Sequence, residues 1–333
     1  MSILYVTDSD TKISAEDNRL IATYSDGTKH SLPIETVESV SFLTRAPITV
    51  SAMTECLKRG IPISFMTKGG RYFGRLISPE HINAPLQRKQ SLLYNTKFAL
   101  EFSKIIIAAK TKNQLIVLKR YAKSREIDIS NLRERICILI AKIPTTNTLQ
   151  ELMGYEGQCA KFYFEGLSKC IESEFAFNGR SRRPPKDPFN SLISLGYSVL
   201  MNEIYNEIEA KGLNPYFGFL HQDAEKHPTL VSDLLEEWRA AVVDSIAMSL
   251  INGHELKTEH FYSLEGKEGC FLTKDGMKIF LRKFEKKLQT KVKYLSYVSY
   301  PVSFRRAIAL QIGKLSEAIM EEDANRYEPL IIR

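Results

Sequence analysis

Residues 154–164 read GYEGQCAKFYF, and their apolar spacing places them inside a helix spanning 152–171. Leu152, Met153, Cys159, Ala160, Tyr163 and Leu167 recur at helical intervals and define one apolar stripe. Glu156 lies three or four residues from most of them, so it shares their face. A carboxylate on a core-facing stripe requires a partner, because an unpaired buried charge is costly or changes its protonation state. A lysine or arginine would serve, and so would a metal ion.

Outward from this helix the period stays helical. Further helices are predicted over 86–122 (with a break near 111–113), 129–142, 190–211, 228–250, 274–290 and 304–322. Ahead of Pro85 the pattern changes to short β-like runs at 3–6, 19–24, 37–42, 61–65 and 71–76. Asp26-Gly27 and Gly69-Gly70 mark turns between them, and one helix is expected from Ser51, as its cap, to Arg59, closed by Gly60. The fold class is therefore read as α+β: a small β-rich domain over 1–85, then a larger all-α domain over 86–333.

A second informative block is Gly218-Phe219-Leu220-His221, where a histidine closes an apolar run and polar residues follow. A packed or capping histidine is one reading and a ligand is the other. His227 precedes Pro228 and falls at the start of the next helix. In that helix Val231, Leu235, Trp238, Val242 and Ile246 form the buried stripe. Asp233 and Glu236 are three apart and off the stripe, so they project together, while Glu237 is expected on the opposite, solvated side. Acids in early turns are also favoured by the helix dipole, so ordinary surface acids remain an alternative.

Composition narrows the class. A hydrophobic content of 44% over 333 residues is globular. No apolar run reaches the roughly 18 residues that span a bilayer. The opening MSILYVTDSD lacks the basic region of a secretory signal, and five cysteines without a CxxC pair suggest reduced thiols. A cytoplasmic location is expected, and zinc held by cysteine is not supported. There is no P-loop, Rossmann glycine pattern or GxSxG elbow.

Net charge is +7. Residues 178–187, NGRSRRPPKD, set Arg180, Arg182, Arg183 and Lys186 around a Pro-Pro break, a loop or helix entry that displays four cations. The predicted helix over 278–293 interleaves apolar residues with Lys278, Arg282, Lys286 and four more lysines against the single acid Glu285. A solvated face or a phosphate-contacting surface both fit this pattern.

Taken in order, GYEGQCAKFYF, FNGRSRRPPKDPFNSLISLGYSVL at 177–200, GFLH at 218–221, SDLLEEWR at 232–239, CFLTKDGMKIFLRKFEKKL at 270–288 and the closing YEPLIIR resemble the CRISPR-associated integrase family of spacer acquisition. The likeness runs over almost the whole chain, although the N-terminal part agrees in pattern only. It implies a β-rich N-terminal domain, the expected dimer contact, joined to a helical catalytic domain. It also implies a divalent ion, Mg²⁺ or Mn²⁺, bound by Glu156, His221 and Glu236, with Asp233 as a nearby fourth acid among the catalytic residues. The implied reaction inserts short DNA into a CRISPR repeat by attack of a 3′-OH, a direct transesterification. Implied partners are double-stranded DNA (protospacer and repeat), a second copy of the chain, and a small ferredoxin-like CRISPR-associated protein. Arg180, Arg182, Arg183, Lys186, Arg282 and Lys286 are candidate DNA contacts on charge alone. A non-catalytic DNA-binding scaffold and a transposon-borne integrase are the alternatives.

Overall fold

Val37–Phe42 is buried at all but one position, as expected of a strand with neighbours on both sides. This strand, β5, lies inside a four-stranded sheet between β1 (Ser2–Val6) and β6 (Ile63–Met66), with β7 (Tyr72–Leu76) beyond β6. It runs parallel to β1 and β6, and β6 and β7 close antiparallel. Helix α1 (Val50–Lys58) supplies the β5–β6 crossover that parallel pairing requires. A three-stranded antiparallel sheet is inserted between β1 and β5: β2 (Lys12–Glu16), β3 (Arg19–Thr23) and β4 (Lys29–Pro33). Ile13, Leu20, Val40, Phe42, Ala52, Cys56 and Ile63 join both sheets and α1 in one core.

The computed structural model describes residues 2–182, 184–263, 266 and 268–333. The chain forms two units, Met1–Ile82 and Asn83–Arg333. In the first, Thr49 rather than Ser51 caps α1, accepting the Ala52 amide at 3.2 Å.

The second unit comprises α2 (Ala84–Leu92), α3 (Lys97–Ser124), α4 (Ser130–Lys142), α5 (Leu149–Lys169), α6 (Pro188–Ala210), α7 (Thr229–Trp238), α8 (Ser245–Asn252), α9 (Lys274–Gln289) and α10 (Phe304–Glu321). It is not wholly helical. Phe261–Tyr262 (β8) pairs with Phe271–Leu272 (β9), and Lys291–Val292 (β10) with Val302–Ser303 (β11).

The break expected near 111–113 does not occur, and α3 runs through it. Thr111 Oγ1 donates to the Ile107 carbonyl at 2.8 Å, which ties that residue into the helix. Asn113 Nδ2 donates to the carbonyls of Glu237 and Leu330, both at 2.9 Å, and Asn113 Oδ1 accepts the Ile332 amide. Of the polar residues that read as a break, Thr111 thus bonds within α3, and Asn113 anchors α7 and the C-terminal segment.

Every residue of α7 is buried. The helix continues through a π-helical stretch, Arg239–Asp244, into α8. Among the described residues no helix is long and apolar enough to cross a membrane.

Candidate metal centre

Glu156 is set by α5. Thr148 caps the helix by accepting the Glu151 amide, and Leu152, Cys159, Tyr163 and Leu167 are buried as the periodicity predicts. A Cβ at Gly166 would come within 2.7 Å of Leu118, so glycine there allows α5 to lie close against α3. From α3, Lys110 reaches Glu156 Oε1 and forms an ion pair with it. The partner that Glu156 demanded is therefore a lysine from a helix 46 residues upstream.

The Lys110 ammonium has a second acid. It stands 2.5 Å from Glu236 Oε2, with the two side chains 6% and 5% exposed. Arg239, one helical turn on, holds Glu236 Oε1 through Nη2 at 3.0 Å. Burial pushes the Glu236 carboxyl up, but Arg239, Lys110 and His221 together hold it down at about 2. It is a carboxylate kept ionised inside the protein.

His221 reaches the same place from the loop before α7. Its Nδ1 lies 2.7 Å from Asp233 Oδ1, and its Nε2 is 3.8 Å from Glu236 Oε1. An ionised carboxylate can only accept, so Nδ1 carries the proton and Nε2 is turned toward Glu236. Burial lowers the imidazole pKa, but the hydrogen bond and charge of Asp233 and the charge of Glu236 raise it overall.

Asp233 corrects the expectation of a surface acid beside Glu236. It is wholly buried behind His221. Its Oδ2 accepts the Phe219 and Leu220 amides at 2.6 and 3.0 Å, and its Oδ1 accepts the His221 amide at 3.0 Å as well as the ring. With both oxygens engaged, Asp233 holds the histidine ring and the loop that carries it. The loop can pass this close only because residue 218 is glycine: a Cβ there would sit 2.7 Å from Asp233 Oδ2 and from the Thr229 backbone.

Glu237, expected on a solvated face, is also fully buried. It accepts from Tyr327 Oη at 2.5 Å, the Leu330 amide at 3.0 Å and Gln311 Nε2 at 3.2 Å. It therefore clamps the C-terminal segment, and burial raises its carboxyl to about 7. His227 approaches His221 edge to face at 6.1 Å but bonds Ser232 instead.

Lys110 and Arg239 are the site residues that sequence reading missed. The signal for Lys110 was a lysine closing the apolar run 105–109, on the helix face of Ile106 and Ile107. Arg239 stacks on the Tyr197 ring at 4.8 Å, and Arg180 approaches the same ring at 5.5 Å. Arg180 is consequently not a displayed cation. It donates to Asn190 Oδ1 and Ser194 Oγ at 2.7 and 3.1 Å, and burial lowers its pKa. Arg182, Lys186, Arg282 and Lys286 are exposed, whereas Arg183 lies outside the described residues. Lys287, on the same helix, is turned inward over Phe304, and burial lowers it to about 8.

Among the described residues no three acidic, histidine or cysteine side chains converge closely enough to hold an ion. The residue types nonetheless suit a hard divalent cation: two carboxylates, and an imidazole whose Nδ1 is fixed by a third. The two carboxylates already share a cation, the ammonium of Lys110.

The fold recurs in a casposase solved bound to its integration product, with a TM-score of 0.87, 22% identity, and coverage of 100% of this chain and 96% of that one. It recurs also in a Cas6-RT-Cas1–Cas2 complex, with a TM-score of 0.84 and 22% identity over 98% of this chain and 36% of that one. At these identities the likeness shows the fold, one shared by CRISPR-associated proteins and a casposase. The chain belongs to the CRISPR-associated protein Cas1 family, whose model matches residues 4–286. It is 35% identical over 319 residues to the CRISPR-associated endonuclease Cas1 of Mycobacterium tuberculosis, covering 95% of this chain and 93% of that one.

Proposed function

We propose that this chain is a divalent-metal-dependent DNA endonuclease and integrase. It inserts short DNA fragments into a CRISPR repeat array by attack of a 3′-OH on a phosphodiester of the repeat, which breaks that bond and releases the repeat strand's 3′-OH, without a covalent enzyme intermediate. The observation that carries this reading is Glu236, whose Oε2 shares the buried Lys110 ammonium with Glu156 and whose Oε1 lies 3.8 Å from His221 Nε2. Mg²⁺ or Mn²⁺ would be held by Glu156, His221 and Glu236 and would supply Lewis-acid polarisation of the phosphodiester.

The chain's own groups do the rest. Asp233 fixes the tautomer of His221, so Nε2 is the nitrogen offered to the site. Arg239 keeps Glu236 ionised and in place. Gly154 and Gly157 flank Glu156, and a Cβ on either would meet nothing. Each weakens an exposed helix by about 1 kcal/mol relative to alanine. Their bare surface leaves room for a DNA backbone beside Glu156.

Arg182, Lys186, Arg282 and Lys286 hold phosphates. A cavity of about 550 Å³ where α3 meets α4 adds Lys119, Arg120, Lys123, Arg133 and Arg333 against the single acid Asp128. The chain works in the cytoplasm as a homodimer through its Met1–Ile82 unit, bridged by a small ferredoxin-like partner on double-stranded DNA.

The test is joining of a labelled 3′-OH oligonucleotide to a repeat-bearing plasmid, with and without the small partner. Product that requires metal, Glu156, His221 and the partner is the expected result. The likeness to the casposase favours a second reading, a transposon-borne integrase, and partner-independent joining would select it. No product under either condition would leave a DNA-binding scaffold.

A further inference from the structure

Lysine is among the residues least often buried without a partner, and Lys110 is buried between two. Its stem runs from α3 into the space between α5 and α7, and its ammonium is divided between Glu156 Oε1 and Glu236 Oε2. The other oxygen of Glu236 is engaged differently, facing Arg239 and His221. Metal–oxygen bonds to Mg²⁺ are about 2.0–2.1 Å long. A divalent ion held between these two carboxylates would have to take the place of Nζ.

We infer that Lys110 is the resident occupant of the cation position between Glu156 and Glu236 and that it competes with the divalent ion for that position. The inference rests on the metal-binding reading proposed above and adds a residue and a mechanism to it. Without the ion, the Lys110 ammonium offsets one of the two negative charges and so reduces the repulsion between the carboxylates of α5 and α7. With the ion, the ammonium must withdraw, which its flexible four-carbon stem permits. Apparent ion affinity is then lowered by the fraction of molecules in which Lys110 holds the site. The acid pair stays packed when no ion is bound, and the site loads only when ion is supplied against this internal competitor.

The experiment is Mn²⁺ titration of the full chain, followed by the EPR signal of free Mn²⁺ and by melting temperature, on wild type, Lys110→Met, Lys110→Arg and His221→Ala. Lys110→Met is expected to melt lower without ion, to bind Mn²⁺ about tenfold more tightly, and to gain more from saturating Mn²⁺ than wild type does. Lys110→Arg, which keeps the charge, should not tighten. If His221→Ala abolishes binding but folded Lys110→Met binds no more tightly than wild type, the competition is wrong and the metal reading stands. If wild type shows no His221-dependent binding at all, the metal reading falls and the inference with it. Should Lys110→Met fail to fold, reductive methylation of wild type, read by mass spectrometry, decides. Lys110 should react several-fold faster with saturating Mn²⁺, and unchanged reactivity overturns the inference.

Discussion

Asp233 Oδ1 holds His221 Nδ1 at 2.7 Å and, with Oδ2, takes three backbone amides from the segment that ends in that histidine. One carboxylate therefore fixes both the loop and the ring. Replacing it with asparagine puts an amide donor where an acceptor is needed. Asp233→Asn should weaken Mn²⁺ binding about 10–100-fold, the usual cost of losing a carboxylate behind a ligating histidine. It should also lower the melting temperature. Unchanged Mn²⁺ affinity in a folded variant would remove Asp233 from the site's support.

Asp244 lies under the same region. Its oxygens accept Tyr197 Oη at 2.5 Å and Tyr163 Oη at 2.9 Å, and burial raises its carboxyl from 3.8 to about 6. Because the folded value lies above the unfolded one, its stabilising contribution is complete below pH 3.8 and is lost as pH rises through about 6. The loss amounts to roughly 3 kcal/mol across that window. Asp244→Asn cannot ionise and should not show this loss. Denaturant unfolding of both proteins from pH 4 to 7.5 checks it: the stability of wild type relative to the variant should fall with pH, and parallel curves would refute the buried titration.

The fold and the site differ in how far the sequence reveals them. The α/β division near Pro85 and the course of α5 follow from hydrophobic period. Strand β4 does not, because four of its five residues are exposed and no alternation marks it. The acids of α7 mislead for a related reason. Amphipathic reading assumes one face in water, and α7 has none. Asp233 and Glu237 thus look like surface acids and are buried hydrogen-bond hubs. Glu156 was different: a charge on an apolar stripe implies a partner on physical grounds alone. What the sequence withheld was the partner's identity, since Lys110 meets Glu156 only through the packing of α3 on α5.

Gly157 offers a test in which stability and function should move in opposite directions. It is exposed, it lies within α5, and an added Cβ meets nothing. Gly157→Ala should stabilise the protein by about 0.5–1 kcal/mol, visible as a melting temperature a few degrees higher. If the bare surface admits DNA beside Glu156, the same variant should join oligonucleotides more slowly. A stabilised variant with full joining activity would show that the glycine serves no approach.

The basic residues separate into two kinds, and salt distinguishes them. Arg282 and Lys286 are one turn apart on α9 and exposed, while Arg180 is consumed by Asn190, Ser194 and the Tyr197 ring. A phosphate contact releases counterions, so each one removed lowers the slope of log affinity against log salt by about 1. Arg282→Ala and Lys286→Ala should each weaken DNA binding and flatten that slope by this amount, with melting temperature little changed. Arg180→Ala should do the reverse, lowering the melting temperature because Asn190 and Ser194 each lose a donor and the Tyr197 ring its cation, with the slope unaltered. Fluorescence anisotropy with a duplex at several salt concentrations, paired with thermal melts, gives both numbers. A flattened slope in Arg180→Ala, or an unaltered one in the α9 variants, would reverse the assignment.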